Sequence, residues 1–373
     1  MRLDGLTLRD FRNYALLQAE FDPGVNLIIG ENAQGKTNLL EAVGYLSTGR
    51  AFRTRKEQEL IRFGTDFAEL EGKVFSEGRE QSVRAVLFAG RQRRQLWRNG
   101  VKQKTAAGLN GLLTTVLFCP EDLLVLKSGA AARRRLIDQT LCQLRPNYEQ
   151  ALAEYTRLLE HKSRILKDGK DNPALYEVLP DFNERMAQVG AVVISYRAKY
   201  LQALAGQASA YHGDFSGGRE ALTITYQTVS SIDDPFADCA VLYQQLKEHQ
   251  QRHDRAERES GQCLSGPHKD DFDATLNGLS IRQYGSQGQT RTAAISIKLA
   301  ERALLLQDIG EEPVLLLDDV LSELDPGRQD FVLNQIRTGQ VFITCCEQEK
   351  LLALTGGRAL GIAGGALIPK TGG

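Results

Sequence analysis

The sequence predicts an α/β fold: a phosphate-loop head interrupted by an inserted, mainly helical second lobe. Three observations predict it. The string Gly30-Glu31-Asn32-Ala33-Gln34-Gly35-Lys36-Thr37 stands near the start, straight after the strand-like run Val25-Asn26-Leu27-Ile28-Ile29. Near the end, the apolar run Val314-Leu315-Leu316-Leu317 delivers two carboxylates, Asp318 and Asp319. Between the two, β-type patterning gives way to helical periodicity, which places the head at residues 1–122 and 262–373 and the insertion at 123–261.

The first string fits G-x-x-x-x-G-K-[ST], in which backbone N–H groups cradle phosphates, the lysine reaches the outer ones and the hydroxyl binds Mg²⁺. Its context agrees. Leu39, Leu40, Val43 and Leu46 have helical spacing, so a helix N-terminus faces the anion. The candidate nucleotide-binding residues are Gly30, Glu31, Asn32, Ala33, Gln34, Gly35, Lys36, Thr37 and Asn38, and the expected cofactors are ATP and Mg²⁺. An apolar run ending in two acids suits a central parallel strand whose carboxyl end meets the ligand. Thr37 and Asp318 are then the metal ligands and Asp319 stands beside the attacking water, which makes Asp319, Asp318 and Lys36 the catalytic candidates.

The first third reads as short strands: Leu3, Leu6 and Leu8, a polar corner at 9–14, a run over 16–21, then 68–75, 82–88 and 116–118. After Pro120-Glu121-Asp122 the spacing turns helical. Tyr148, Leu152, Tyr155 and Leu159 step by four and three, as do Phe182, Met186, Val189, Val193, Tyr196 and Tyr200, with a turn at Asp171-Asn172-Pro173 between them. A helical hairpin with facing apolar seams is the simplest reading. A polar helix is expected over 241–259, an isolated strand over 221–226 and further strands over 272–276 and 279–282, while the tail after Gly356 is expected to be loose.

Composition narrows the class. Of 373 residues, 42% are hydrophobic and 25% charged, as in ordinary globular proteins, and no apolar run approaches the roughly 20 residues that cross a bilayer. With neither a signal nor a transit pattern at the start, no membrane partner is expected and the expected location is the cytoplasm. Six cysteines form no CxxC pair, and His249 and His253, four apart, lack the glutamate of a zinc-protease motif. A net charge of −1 does not advertise a polyanion partner, but local runs do. These are Arg50-Ala51-Phe52-Arg53-Thr54-Arg55-Lys56, the run 91–98 containing Arg94 and Trp97, and Arg133-Arg134-Arg135. Arg50, Arg53 and Arg55 are the first DNA candidates, because they follow the phosphate-loop helix; Arg94, and Trp97 as a stacking residue, come second.

A third motif lies between the insertion and the acidic strand: Tyr284-Gly285-Ser286-Gln287-Gly288-Gln289, ahead of a helix with Ala294, Ile297, Ala300, Leu304 and Leu305 on one face. A Gly/Ser loop opening a helix is a second phosphate-binding device, and one nucleotide does not need two from the same chain. With Phe11-Arg12-Asn13-Tyr14, Thr48-Gly49-Arg50-Ala51-Phe52-Arg53-Thr54, Pro120-Glu121-Asp122-Leu123 and Gly266-Pro267-His268-Lys269-Asp270-Asp271, these strings make the chain resemble the RecF family of SMC-like, ABC-type ATPases over essentially its full length.

The resemblance implies an ATP-dependent homodimer in which Ser286, Gln287, Gly288 and Gln289 close, in trans, on the nucleotide of the other copy. It also implies binding to double-stranded and gapped DNA, and work with RecO and RecR in loading RecA. Carried over by position, Arg12 and Asn13 resemble a corner that contacts the nucleotide, Glu121 and Asp122 occupy a switch position, and Asp325 lies in a D-loop-like stretch, Ser322-Glu323-Leu324-Asp325. Three departures stand out: Gln287 replaces a glycine, Asp319 replaces a glutamate base, and Cys345 or Cys346 replaces a switch histidine. The last two imply slow hydrolysis. A nucleotide-binding subunit of an ABC membrane transporter shares the ATP motifs, but not the helical insertion or the Phe11-Arg12-Asn13-Tyr14 start; a small-molecule P-loop kinase would have no signature loop of the kind at 284–289.

Overall fold

The computed structural model describes residues 1–54, 56–90, 92–346 and 356–368. The chain divides into two compact units, Met1–Leu123 with Lys298–Gly373, and Leu124–Ile297. The first unit opens with strands β1 (Arg2–Phe11), β2 (Tyr14–Glu20) and β3 (Val25–Ile29), then helix α1 (Lys36–Thr48), then β4 (Phe67–Ser76), β5 (Arg79–Phe88), β6 (Gln95–Arg98), β7 (Val101–Gln103) and β8 (Thr115–Phe118). Six of these strands form an antiparallel sheet in the order β2-β1-β4-β5-β6-β7. Alternation explains it: in β4, Ala68, Leu70, Gly72 and Val74 point inward while Glu71 and Lys73 face water. Gly72 is small for a reason, since an added Cβ would lie 3.0 Å from Leu46 of α1. The β6–β7 hairpin turns on Asn99-Gly100, both at positive φ, the signature of a tight hairpin turn that matches strand twist.

The second unit holds α2 (Ala130–Leu144), α3 (Pro146–Asp168), α4 (Leu179–Ser216), β9 (Leu222–Gln227), α5 (Cys239–Ser260), β10 (Asp271–Leu276), β11 (Leu279–Ser280) and the short α6 (Ile281–Tyr284). The expected seams meet, with Tyr155 of α3 packed on Met186 and Val189 of α4. The strand expected to be isolated is not. β9 pairs antiparallel with β10 from Leu222↔Leu276 to Gln227↔Asp271, and β10 with β11, in a three-stranded sheet. That pairing keeps residues 262–297 with the helices, so the chain returns to the first unit at Lys298 rather than at 262.

Helix α7 (Gln287–Ile309) carries the chain back, followed by β12 (Val314–Asp318), α8 (Pro326–Gln335), β13 (Val341–Cys345), β14 (Arg358–Ala363) and β15 (Ala366–Ile368). A second six-stranded sheet runs β15-β14-β3-β13-β12-β8, parallel except at β15. β12 and β13 are buried throughout, as expected of central parallel strands. Residues 358–368 correct the expectation of a loose tail: β14 pairs with β3 from Arg358↔Asn26 to Gly361↔Ile29, because Ala359, Leu360 and Ile362 extend the apolar edge of the sheet.

Candidate nucleotide site

The parallel register brings the ends of β3, β13 and β12 side by side, with Asp318 opposite Thr344 and Cys345 opposite Ile29. The phosphate loop leaves β3 and enters α1 at Gly35, whose φ of 120° and crowded surroundings exclude any side chain: an added Cβ would lie 2.7 Å from Asn13 Nδ2. Gly30 is equally constrained, because a Cβ there would collide with the Ile362 carbonyl of β14. The loop is therefore wedged between the N-terminal corner and the strand that the tail supplies.

Lys36 is 7% exposed and its ammonium donates to Gly30 O at 2.6 Å, to Glu31 O at 3.0 Å and to Cys346 Sγ at 3.3 Å. The Thr37 and Thr344 hydroxyls each donate to Asp318 Oδ1 at 2.9 Å, and Thr344 Oγ1 accepts from the Asp319 N–H at 2.7 Å. Burial pushes the Asp318 carboxyl up; the two hydroxyls and the charge of Arg53 pull it back. Asp319 sits at a φ of 53°, a left-handed conformation that turns its side chain at the strand end, where the Ser322 hydroxyl donates to the Asp319 carbonyl at 2.6 Å and lies 3.2 Å from Oδ1. A hydroxyl beside a carboxylate is a set of hard oxygen donors, which fits Mg²⁺.

The other candidates have partners within the chain. Arg12 spends its guanidinium on the buried Glu41, at 2.9 and 3.2 Å, and on Glu59 O at 2.8 Å. Asn13 donates to Gln34 O and accepts from Asn38 Nδ2, both at 2.8 Å, while Tyr14 OH donates to Gly35 O at 2.9 Å. As placed here, this corner braces the loop from behind, and Asn38 belongs to that brace. Asp122 accepts from the Cys119 N–H at 3.0 Å, closing the turn that leaves Glu121 exposed. Asp325 caps α8 by accepting from the Arg328 N–H at 3.0 Å, and this bond, ahead of the pairing with the Arg328 guanidinium, holds its carboxyl below the usual range. Ser286, Gln287, Gly288 and Gln289 belong to the second unit, at the start of α7.

The DNA candidates are redistributed. Arg50 and Arg53 are exposed, but Arg53 is close enough for its charge to act on Asp318; Arg55 lies outside the described residues. Arg94 is paired with Glu57, and the Trp97 ring is covered by the Arg84 guanidinium at 4.8 Å, with the Lys102 ammonium 5.9 Å away. Arg133, 2% exposed, is locked to Asp271 by bonds of 2.6 and 2.7 Å, which removes it from that basic run as a phosphate contact, and the half-buried Arg134 donates to Asp270 O at 2.6 Å. Thr344 was missed. Its only sequence signal is its place at the end of an apolar run that turns out to neighbour β12.

The fold and this loop–carboxylate arrangement define a P-loop head of the RecF/RecN/SMC type, and the family model described as the RecF/RecN/SMC N terminal domain matches residues 2–361. A "DNA replication and repair protein RecF" from Symbiobacterium thermophilum is 39% identical over 354 residues, covering 94% of this chain and 93% of that protein. The solved structure of the recombination mediator protein RecF-ATPrS in the RecFOR pathway is 33% identical, with a TM-score of 0.91 over 98% of this chain and 97% of that one. Its RecF-ATP counterpart is also 33% identical, with a TM-score of 0.89 over 98% and 96%. The chain belongs to the RecF family. The transporter reading finds no support in these relatives. Among the described residues no helix is long and apolar enough to cross a membrane.

Proposed function

We propose that the chain acts as an ATP-gated, DNA-binding dimer in recombinational repair and replication restart, working with RecO and RecR to load RecA at DNA gaps. The observation that carries the ATP part is the meeting of Thr37, Thr344 and Asp318 beside a phosphate loop whose lysine rests on two backbone carbonyls and a thiol. Carbonyl oxygens are neutral acceptors, and phosphate oxygens make stronger charge-assisted bonds to an ammonium, so Lys36 exchanges the first for the second when nucleotide arrives. Thr37 and Asp318 hold Mg²⁺, which neutralises phosphate charge when bound. Asp319 orients water with a short side chain already engaged by Ser322, and Cys346 offers only a weak sulfur hydrogen bond in place of an imidazole. Turnover is accordingly slow, which suits a switch better than a motor.

Dimerisation follows from economy of parts. The chain carries two phosphate-binding devices, the loop at 30–37 and the helix start at 286–289, and a head-to-tail pair uses one of each per ATP. DNA binding follows from charge. A cleft of about 530 Å³ in the first unit is lined by Arg93, Arg94, Lys102 and Lys104. With Arg94 committed to Glu57, the exposed Arg93, Lys102 and Lys104 are the phosphate contacts. A chain of net charge −1 gathers enough such residues on one face only by pairing, so affinity for DNA depends on ATP and falls steeply with salt.

Light scattering in ATP with Mg²⁺, in ADP, and then with gapped duplex tests the reading. A dimer in ATP alone, and tighter DNA binding by that dimer, is expected. Equal dimer populations in ATP and ADP would reject ATP gating.

A further inference from the structure

The loop at 285–289 is held by two residues outside it, Lys127 and Glu220. On one side the Lys127 ammonium donates to the Gly285 carbonyl at 2.6 Å. On the other, Ser286 and Gln289 form a reciprocal box: the Ser286 N–H donates to Gln289 Oε1 at 3.0 Å, and the Gln289 N–H donates to Ser286 Oγ at 3.2 Å. Since Oε1 serves Ser286, the amide nitrogen of Gln289 points the other way, and it donates to Glu220 Oε1 at 2.7 Å. Glu220 Oε2 in turn lies 3.0 Å from Nε2 of His212, a fully buried ring whose Nδ1 is 3.5 Å from Ser296 Oγ further along α7.

This chain fixes an amide that could otherwise flip. Turned over, the Gln289 side chain would set its NH₂ against the Ser286 N–H and its oxygen against the Glu220 carboxylate, two repulsive contacts in place of two hydrogen bonds. The bond from Gln289, ahead of that from His212, also holds the Glu220 carboxyl below its usual range, so it stays an acceptor at neutral pH. Ser286 and Gln287 are left exposed at the start of α7.

We infer that Glu220, backed by His212, and Lys127 are positioning residues that hold the loop at 285–289 preformed, so that Ser286 meets the terminal phosphate of a partner copy's ATP without first being ordered. The inference rests on the trans arrangement proposed above. Ordering a loop and its rotamers at the moment of association opposes binding, and preorganisation removes that cost. These residues therefore act on dimer closure and not on the capture of ATP by the monomer.

The test compares the ATP concentration for half-dimerisation, in the presence of Mg²⁺, with ATP affinity measured at protein concentrations too low for dimers. Glu220→Ala should raise the first about tenfold, the scale of one hydrogen bond to a charged group, and leave the second and the melting temperature near wild type. Lys127→Met, at an exposed site, should raise it about threefold. Glu220→Gln, whose amide oxygen still accepts from the Gln289 amide, should dimerise to within about threefold of wild type. This conservative variant and Lys127→Met decide the matter even if Glu220→Ala folds poorly. Wild-type dimerisation by Glu220→Ala, or no recovery in Glu220→Gln relative to it, overturns the inference. Ser286→Arg separates the two levels: if it abolishes dimerisation while Glu220→Ala dimerises normally, only the positioning role fails. If Ser286→Arg itself dimerises normally in ATP, the trans arrangement fails and the positioning role with it.

Discussion

Two charged constellations in this molecule look alike in sequence and behave in opposite ways. In the first unit, Lys36 opens α1 while Asp318 and Asp319 stand at the end of β12, and the lysine's acceptors are two carbonyls of its own loop and the Cys346 thiol. In the second unit, the string at 266–271 is closed upon itself. Arg197, 3% exposed, donates to Asp138 at 3.0 and 2.9 Å, to Pro267 O at 2.7 Å and to Asp270 at 2.9 Å; Asp270 also accepts from Tyr226 and, at 2.8 Å, from Thr228. His268 Nε2 donates to Cys263 O at 3.0 Å, and because burial keeps the ring neutral its Nδ1 accepts from Tyr155 OH at 2.7 Å. Gly266 has a φ of 125° and no space for a Cβ, because Tyr155 OH fills it. A ligand site keeps partners it can exchange; a fold-holding network keeps partners it cannot. Only Lys269 of that string is exposed.

The sharpest way to break the contrast is to delete one member of each. Arg197→Ala leaves Asp270 and Asp138 without their cation and should destabilise the protein by about 3–5 kcal/mol, read as a lower denaturant midpoint. An unchanged midpoint would mean the network is not structural. Asp319→Asn should leave stability and ATP binding intact, slow turnover about a hundredfold, and prolong the life of the ATP dimer in gel filtration. Next in size, Lys36→Met should weaken ATP binding about tenfold to a hundredfold in a fluorescent-nucleotide titration, again with little change in melting temperature. A large melting shift would put Lys36 on the structural side.

Smaller effects sharpen the comparison within each unit. Lys102→Glu with Lys104→Glu should lower affinity for every DNA sequence alike and reduce the slope of log affinity against log salt by about 2, whereas Arg94→Ala, which breaks only an internal pair, should leave the slope unchanged. A slope that responds to Arg94 alone would move the DNA site. The smallest effect concerns pH. Burial lowers His268 to about 4 from an ordinary value of 6.5, so the neutral form belongs to the folded state and the unfolded chain binds the extra proton. Its contribution is complete above about pH 6.5 and is lost progressively as pH falls towards 4. Between pH 7 and 5.5 this amounts to on the order of 1 kcal/mol, visible as a falling urea midpoint that His268→Phe should flatten.

What could be read without the structure was local. The phosphate loop, the helix behind it and the acidic end of β12 lie in contiguous strings whose spacing encodes conformation, and the seams of α3 and α4 follow from periodicity. The β6–β7 hairpin was missed although Asn99-Gly100 announced it.

The rest depended on which distant segments become neighbours. Nothing in a run of arginines tells Arg133, buried against Asp271, from an exposed Arg93. The pairing of Arg12 with Glu41, the approach of Cys346 to Lys36 and the placing of Thr344 on Asp318 join residues 29, 310 and 26 positions apart. The tail became β14 because β3 had an open edge. Sequence determined this protein's motifs and the elements that carry them, since those are set by backbone conformation and apolar spacing over a few residues. Tertiary structure decided which polar groups remain exchangeable, since a side chain is committed only when folding buries it against a partner the chain brings from elsewhere.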